Sequence, residues 1–342
     1  MQALRKTLPE PGIVYNIDTP LPATKQQDVL IRVQAAGICG SDLHAYQWSS
    51  GYEFMSAHMP LTLGHEFAGV AENVPQEQAR IAAGSKVTIW PTITCNQCDA
   101  CKNHQPEYCC ARTIIGLHRD GGFSDYVSVP YENCFPLPDE MPVDLGALTE
   151  PVSIAIHAVK TAEIRQSDHL VVFGPGPIGL FTALYAQSLG VKVALVGYQD
   201  EGRLDLARQM GIALSCDSAQ MDLSVYLDSC FGGCVERVIE AAGSVTCLEQ
   251  GAAILAPGGV MVVAGIHSEA FSLNVTPFVR RKQQLRGAHD TTRDSFEEAI
   301  RFINDHQEIF QLALTHTFPL SEGKAAFATA LEKQAMKVLL KP

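Results

Sequence analysis

The sequence predicts an α/β protein in two parts, a β-rich domain and a doubly wound parallel sheet. Three observations carry that reading: short strands between breakers early in the chain, strand–helix alternation from about residue 152, and a glycine string between one strand and one helix. In the first part Val29–Gln34 and Lys86–Trp90 read as strands among Pro and Gly, the texture of an irregular barrel. An Ala-rich helical run then precedes the apolar strand His169–Phe173. Leu180–Leu189 is helical and closes at Gly190, Val191–Val196 is the next strand, and Gly202–Met210 is helical before Gly211. Val235–Glu240 and Val260–Gly265 supply further buried strands, which completes a βαβ rhythm. After Gly287 an amphipathic helix carries Phe296, Ala299, Ile300 and Ile303 on one face, and the chain ends in the strand Lys337–Leu340. The expected boundaries are residues 1–151 with a cysteine lobe at 93–111, residues 152–288, and a return to the first domain over 289–342.

At 342 residues, with 46% apolar and 18% charged residues, the chain can bury more than one core. A net charge of −12 repels polyanions, so nucleic acid is excluded as a partner. No apolar run is long enough to span a bilayer, so no membrane is expected. The start Met1–Lys6 leads into no apolar leader, and eleven cysteines are an odd number for a disulfide framework. A cytoplasmic location with reduced thiols is expected. Cys110, Cys134, Cys216, Cys230, Cys234 and Cys247 read as plain small residues.

Cys95, Cys98, Cys101 and Cys109 form a C-x₂-C-x₂-C-x₇-C run. Thiolates two residues apart converge on one ion from a tight turn, so four of them suit a closed structural zinc site. An iron–sulfur run would have a last gap of about three residues followed by proline. Here the gap is seven and no proline follows. Cys110 stands next to Cys109 as an alternative fourth ligand.

A second set differs in kind. Cys39, Ser41, Asp42 and His44 fall within one glycine-opened segment, His65 and Glu66 follow in Gly-His-Glu, and Glu150 precedes Pro151. A mixed set of Cys39, His65, Glu66 and Glu150 leaves a coordination position open, the catalytic arrangement for zinc. Such an ion lowers the pKa of an alcohol so that hydride can leave its carbon. Ser41 and then His44 offer the departing proton a path, and Asp42 can fix the tautomer of His65. The plainer reading makes Ser41 and Asp42 helix caps, the His-Glu pair a surface or core feature, and Glu-Pro a turn.

Gly174, Gly176 and Gly179 make a G-x-G-x-x-G loop, with Pro177 and Ile178 inside it, directly after a strand and before a helix. That context indicates dinucleotide binding, with a pyrophosphate at the helix N-terminus. The following strand ends at Gly197 where a carboxylate would bind the NAD ribose, and Arg203 is near enough to pair with a 2′-phosphate. NADP is therefore favoured over NAD. Asp200 and Glu201 in the same loop argue the other way.

Taken in order, Gly-Ile-Cys-Gly-Ser-Asp, Gly-His-Glu, the cysteine lobe, Asp120–Phe123, Glu150-Pro151 and the nucleotide loop resemble the zinc-dependent medium-chain alcohol dehydrogenase family, in particular its sorbitol and threonine dehydrogenase branch. The resemblance spans nearly the whole chain. It implies a GroES-like catalytic domain split around a Rossmann domain, with the active site in the cleft between them. It also implies Cys39, His65 and Glu66 as catalytic zinc ligands, with Glu150 either ligating or bonding to bound water, and thus two zinc ions per chain. A homodimer or homotetramer is implied, with Val260–Gly265 and Ala270–Val275 as interface segments. Two departures bear on the substrate: Ala45 replaces a tyrosine of polyol-binding relatives, and Ala288–Thr292 replaces their Arg-Tyr pair. Tyr46, Trp48 and His289 are the residues left to shape the pocket. The expected activity is reversible oxidation of a secondary alcohol in a small polyol, sugar acid or related hydroxylated compound. Rival readings are a regulatory or structural nucleotide-binding protein and a zinc-free quinone reductase, both of which would lack part of the metal-ligand sets.

Overall fold

The computed structural model describes residues 1–75, 80–233, 235–332 and 335–342, so Cys234 lies outside the described residues. The chain forms two compact units, Met1–Glu150 with Thr292–Pro342, and Pro151–Thr291. Among the described residues no helix is long and apolar enough to cross a membrane.

The first unit is built on a seven-stranded sheet. Its central strand Asp28–Gly37 pairs antiparallel with Glu66–Asn73, Tyr126–Pro130 and Lys337–Lys341, and the last of these runs parallel to Leu314–Pro319. Alternation explains its burial: Val29, Ile31 and Val33 turn into the core, while Leu30 and Arg32 between them stay partly exposed. The core gathers Leu4, Leu61, Phe67, Ile89, Phe123 and Phe327 around this sheet. A two-stranded ribbon, Thr92–Ile93 with Thr113–Ile114, brackets the cysteine lobe.

The return segment closes the same unit. Helix Arg293–Asp305 buries Phe296, Ala299, Ile300 and Ile303, the stripe expected from their three- and four-residue spacing. Thr292 caps it by accepting from the Ser295 N–H at 3.2 Å. Phe296 meets Phe135 with ring centroids 5.0 Å apart.

The second unit is a six-stranded parallel sheet. Its order is Leu214–Asp217, Lys192–Gly197, His169–Phe173, Val235–Glu240, Leu255–Val263, Gln284–Gly287. Both faces are covered, so the strands read as continuous apolar runs such as Leu170–Phe173. The order reverses beside His169–Phe173, which is where open sheets of this kind bind ligands. One expectation needs correcting. Leu255–Val263 is paired on both sides and Ala270–Asn274 forms no strand, so the edges of the described sheet are Leu214–Asp217 and Gln284–Gly287.

Phe296→Ala removes a fully buried ring from the return helix. It is expected to cost about 3–5 kcal/mol, read as a lowered midpoint in urea denaturation with an unchanged slope. A loss under about 1 kcal/mol would show that this helix does not anchor the unit.

Candidate active site and metal centres

Strand register assembles the site from distant parts of the chain. Gly37, at the end of its strand, pairs with Glu66 at the start of the next strand, and on its other side with Leu339. Cys39, His65, Glu66 and Lys337 are thereby delivered to one end of the sheet. A Cβ at Gly37 would lie 2.4 Å from Glu66 Oε2, so only glycine admits that carboxylate.

Cys39 is the N-cap of helix Gly40–Gln47, and its N–H donates to Asp42 Oδ2 at 3.0 Å. The other Asp42 oxygen faces His65 Nδ1 at 3.6 Å, which leaves the second ring nitrogen for the thiol side. Asp42 thus both caps and orients. The ligand atoms of Cys39, His65 and Glu66 lie within 4.8 Å of one another. His65 and Glu66 are buried, whereas Cys39 keeps part of its surface open.

The electrostatics of the trio are those of ligands waiting for a cation. Burial pushes the Cys39 thiol up and the Glu66 and Glu150 carboxylates add to this, while His65 opposes it. Burial lowers His65, but Asp42 and Cys39 outweigh it and hold the imidazole well above its ordinary value. Among the described residues, His65 Nδ1, Asp42 Oδ1 and Glu66 Oε1 are buried without a hydrogen-bond partner. Unsatisfied buried polar atoms are costly; a borderline cation accepting S, N and O ligands would satisfy Glu66 Oε1, whereas His65 Nδ1 and Asp42 Oδ1 face each other at 3.6 Å. The residues present fit zinc.

Lys337 was not singled out by sequence reasoning. Its ammonium donates to Glu66 Oε2 at 2.5 Å and to the Ile38 carbonyl at 3.2 Å, with the side chain 2% exposed. Burial lowers its pKa, but the charges of Glu66 and Cys39 reverse this and keep it protonated. The available signal was a lysine opening the otherwise apolar run Lys337–Leu340.

Glu150 starts helix Thr149–Thr161 and is 8% exposed. Among the described residues it is not part of the ligand trio, although its charge acts on Cys39 and Lys337. Ser41 Oγ lies 3.8 Å from Cys39 Sγ, and burial holds Tyr52, a second residue the sequence reading missed, above its ordinary pKa while Ser41 opposes this. His44 stacks on Tyr52 at 5.6 Å, and its Nδ1 faces Ser49 Oγ at 3.3 Å. Tyr46 and Trp48 serve packing: Tyr46 meets Phe327 at 5.1 Å, and Lys6 sits over the Trp48 ring.

In the cysteine lobe, Cys109 joins Cys95, Cys98 and Cys101, while Cys110 is exposed outside that group. Cys95 Sγ is 3.5 Å from Cys109 Sγ and 4.0 Å from Cys101 Sγ. Sulfurs of a tetrahedral zinc site with bonds of about 2.3 Å stand about 3.8 Å apart. Backbone N–H groups of Cys101 and Cys110 draw Cys98 down to about 6, and desolvation with neighbouring thiols pushes Cys101 up to about 12. The short helices Asp99–Lys102 and Pro106–Tyr108 bury no side chain, so apolar packing contributes little here. The four sulfurs fit a zinc ion.

In the second unit the glycine loop follows His169–Phe173. Gly179 packs so close that a Cβ would meet the Gly174 carbonyl at 1.8 Å, whereas a Cβ at Gly176 would meet nothing within 4 Å. Gly176 caps helix Pro177–Ser188, with Pro177 and Ile178 in its first turn, and open space lies beside it. A pyrophosphate fits that space. Gly197 ends the next strand, and Arg203 pairs with Asp200 at 3.9 Å.

A dinucleotide-type loop and a thiol–imidazole–carboxylate trio in one chain belong to an oxidoreductase. Residues 25–139 match the alcohol dehydrogenase GroES-like domain, and residues 177–305 match the zinc-binding dehydrogenase family. The chain is 31% identical over 302 residues to L-galactonate-5-dehydrogenase of Escherichia coli (strain K12), covering 88% of this chain and 87% of that one. It is 30% identical over 346 residues to sorbitol dehydrogenase of Halalkalibacterium halodurans, covering 100% and 99%. The crystal structure of galactitol-1-phosphate dehydrogenase from Escherichia coli superposes with a TM-score of 0.89 at 25% identity, covering 100% of both chains. The chain belongs to the zinc-dependent medium-chain alcohol dehydrogenase family. It is an NAD(P)-dependent alcohol dehydrogenase.

Lys337→Met strands a buried carboxylate. It is expected to destabilise the protein by about 3–5 kcal/mol, read as a lowered Tm, with Lys337→Arg recovering part of the loss. Equal Tm values for wild type and Lys337→Met would show that Glu66 does not need this partner.

Proposed function

We propose that the protein reversibly oxidises a secondary alcohol of a small polyol, sugar acid or related hydroxylated compound to the ketone, with zinc held by Cys39, His65 and Glu66. The carrying observation is the convergence of these side chains, with Glu66 Oε1 buried and without a hydrogen-bond partner among the described residues. Similarity to dehydrogenases named for galactonate, sorbitol and galactitol 1-phosphate supports the substrate class.

When bound, zinc supplies Lewis acidity toward the substrate hydroxyl, and NAD(P) supplies the hydride acceptor. The chain does the rest. Asp42 holds the His65 ring, and Lys337 offsets the charge of Glu66. Ser41 Oγ takes the hydroxyl proton as it gives up its own, and the His44 imidazole is the group that passes the proton outward. Glu150 tunes the charge around Cys39, either as an occasional ligand or through water. Cys95, Cys98, Cys101 and Cys109 hold a second, structural zinc. The N-terminus of helix Pro177–Ser188 binds the pyrophosphate, and Arg203 the 2′-phosphate of NADP. Residues 1–151 with 289–342 and residues 152–288 are the working domains, in a homodimer or homotetramer in the cytoplasm. The exposed edge strand Gln284–Gly287 is the surface for pairing.

A nucleotide-binding protein without chemistry is the competing reading. Nothing would then keep a thiol, an imidazole and a carboxylate together at an energetic cost.

Cys39→Ser is expected to lower kcat roughly a thousandfold, about 4 kcal/mol of barrier, with the fold intact by circular dichroism. Zinc content should fall from about two to about one per chain. Wild-type turnover in that variant would refute the assignment.

Arg203→Gln is expected to weaken NADP about tenfold and leave NAD unchanged, as measured by fluorescence titration. The converse change is harder to build: a Cβ at Gly197 would meet Pro175 Cγ at 3.1 Å and Leu204 Cδ1 at 3.2 Å. An unaltered preference in Arg203→Gln would remove the case for NADP.

A further inference from the structure

Two histidines serve this site, and their Nδ1 atoms meet different chemistry. His65 Nδ1 faces a carboxylate oxygen of Asp42 at 3.6 Å, whereas His44 Nδ1 faces the Ser49 hydroxyl at 3.3 Å. An ionised carboxylate only accepts hydrogen bonds, so it holds a neutral imidazole in one tautomer. A hydroxyl both donates and accepts. Beside Ser49 the His44 ring is therefore served in either tautomer, with Nε2 a base while Nδ1 carries the proton and an acid once it does not.

The chain turns sharply to place that hydroxyl. Helix Gly40–Gln47 ends at Trp48 in the left-handed region, φ 56° and ψ 48°, an uncommon conformation for a bulky residue. The Ser49 N–H then donates to the His44 carbonyl at 3.0 Å, and the Tyr52 N–H to the Ser49 carbonyl at 3.3 Å. Both loop residues thus come back onto His44: Ser49 at Nδ1, and Tyr52 stacked on the ring with centroids 5.6 Å apart. Helix capping explains the backbone bonds. It does not call for a hydroxyl at Nδ1.

The other end of the same helix reaches the metal ligands. Ser41 Oγ is 3.8 Å from Cys39 Sγ, and His44 stands three positions beyond Ser41, the spacing that puts two side chains on one helical face. His44 and Ser49 are both partly exposed, so this face runs from the ligand trio to solvent.

We propose that Ser49 is a positioning residue for the proton relay, holding His44 through Nδ1 so that Nε2 exchanges the proton with Ser41. The proposal rests on alcohol oxidation at Cys39, His65 and Glu66. In oxidation Ser41 Oγ gains the alcohol proton and gives its own to His44 Nε2. The Nδ1 proton then passes to Ser49 Oγ as that hydroxyl gives its own to water. Reduction runs the same transfers backwards, and the partly exposed ring regains its first tautomer by exchange with water. Only protons move along this path, since the electron pair leaves the carbon as hydride to NAD(P). A carboxylate in place of Ser49 would fix one tautomer and serve one direction.

The test reads the ring first. Nitrogen-15 NMR of the His44 imidazole, assigned with His44→Gln, is compared in NADP-bound holoenzyme of wild type, Ser49→Ala and Ser49→Thr. A hydrogen-bonded Nδ1 is expected in wild type and Ser49→Thr and a water-exposed one in Ser49→Ala, which keeps every backbone bond of the turn. With sorbitol and L-galactonate as probe substrates, Ser49→Ala is expected to lower kcat roughly tenfold at unchanged KM and to raise the solvent deuterium isotope effect. Ser49→Thr should recover most of that loss. An Nδ1 signal or a kcat that is the same in wild type and Ser49→Ala, or a Ser49→Thr variant as slow as Ser49→Ala, would overturn the proposal. The Cys39→Ser variant separates the two claims: it should keep the His44 signal, and turnover retained in it would defeat the alcohol reading and leave the ring result standing.

Discussion

A thiol and a carboxylate buried together cannot both be charged unless cations answer them, and the catalytic end of the first unit is arranged around that demand. Lys337 supplies one positive charge to Glu66, and the ion that would bridge Cys39, His65 and Glu66 supplies the other. Each arrangement explains a neighbouring constraint. Gly37 must lack a side chain because Glu66 occupies its space, and Asp42 must be buried because it steadies the His65 ring. Buried ion pairs of this sort contribute little net stability but penalise the loss of either partner. The site is therefore specified more by what its removal would strand than by what its presence adds.

The two metal sets follow opposite physical logic. In the cysteine lobe the protein gives up packing and leaves cohesion to an ion, since its short helices bury nothing. Around Cys39 the protein gives up no packing at all. Strands whose cores are already filled converge there, so the ligands are preorganised before an ion arrives. This difference matches a structural role for the first set and a chemical role for the second, because only a rigid frame can leave a coordination position open.

Local patterns were readable in the sequence and long-range ones were not. The glycine loop, the cysteine spacing and the stripe Phe296, Ala299, Ile300 and Ile303 depend on residues a few positions apart, and periodicity or turn chemistry exposes them directly. Lys337 meets Glu66 across 271 residues, and nothing near either one signals the pairing. Tyr52 is similar, since its stacking on His44 depends on how the loop after helix Gly40–Gln47 folds back. The misplaced edge strand has the same origin. An apolar run such as Val260–Val263 reads alike in the middle or at the edge of a sheet, and only the strand order tells them apart.

The central claim concerns where an ion sits, so the most direct measurement is anomalous scattering at the zinc edge from crystals of the protein as purified. The account predicts two peaks in each chain's difference map, one among the four lobe sulfurs and one bounded by Cys39, His65 and Glu66. A lone peak at the lobe, with those three side chains hydrogen-bonded to one another or to water, would contradict it.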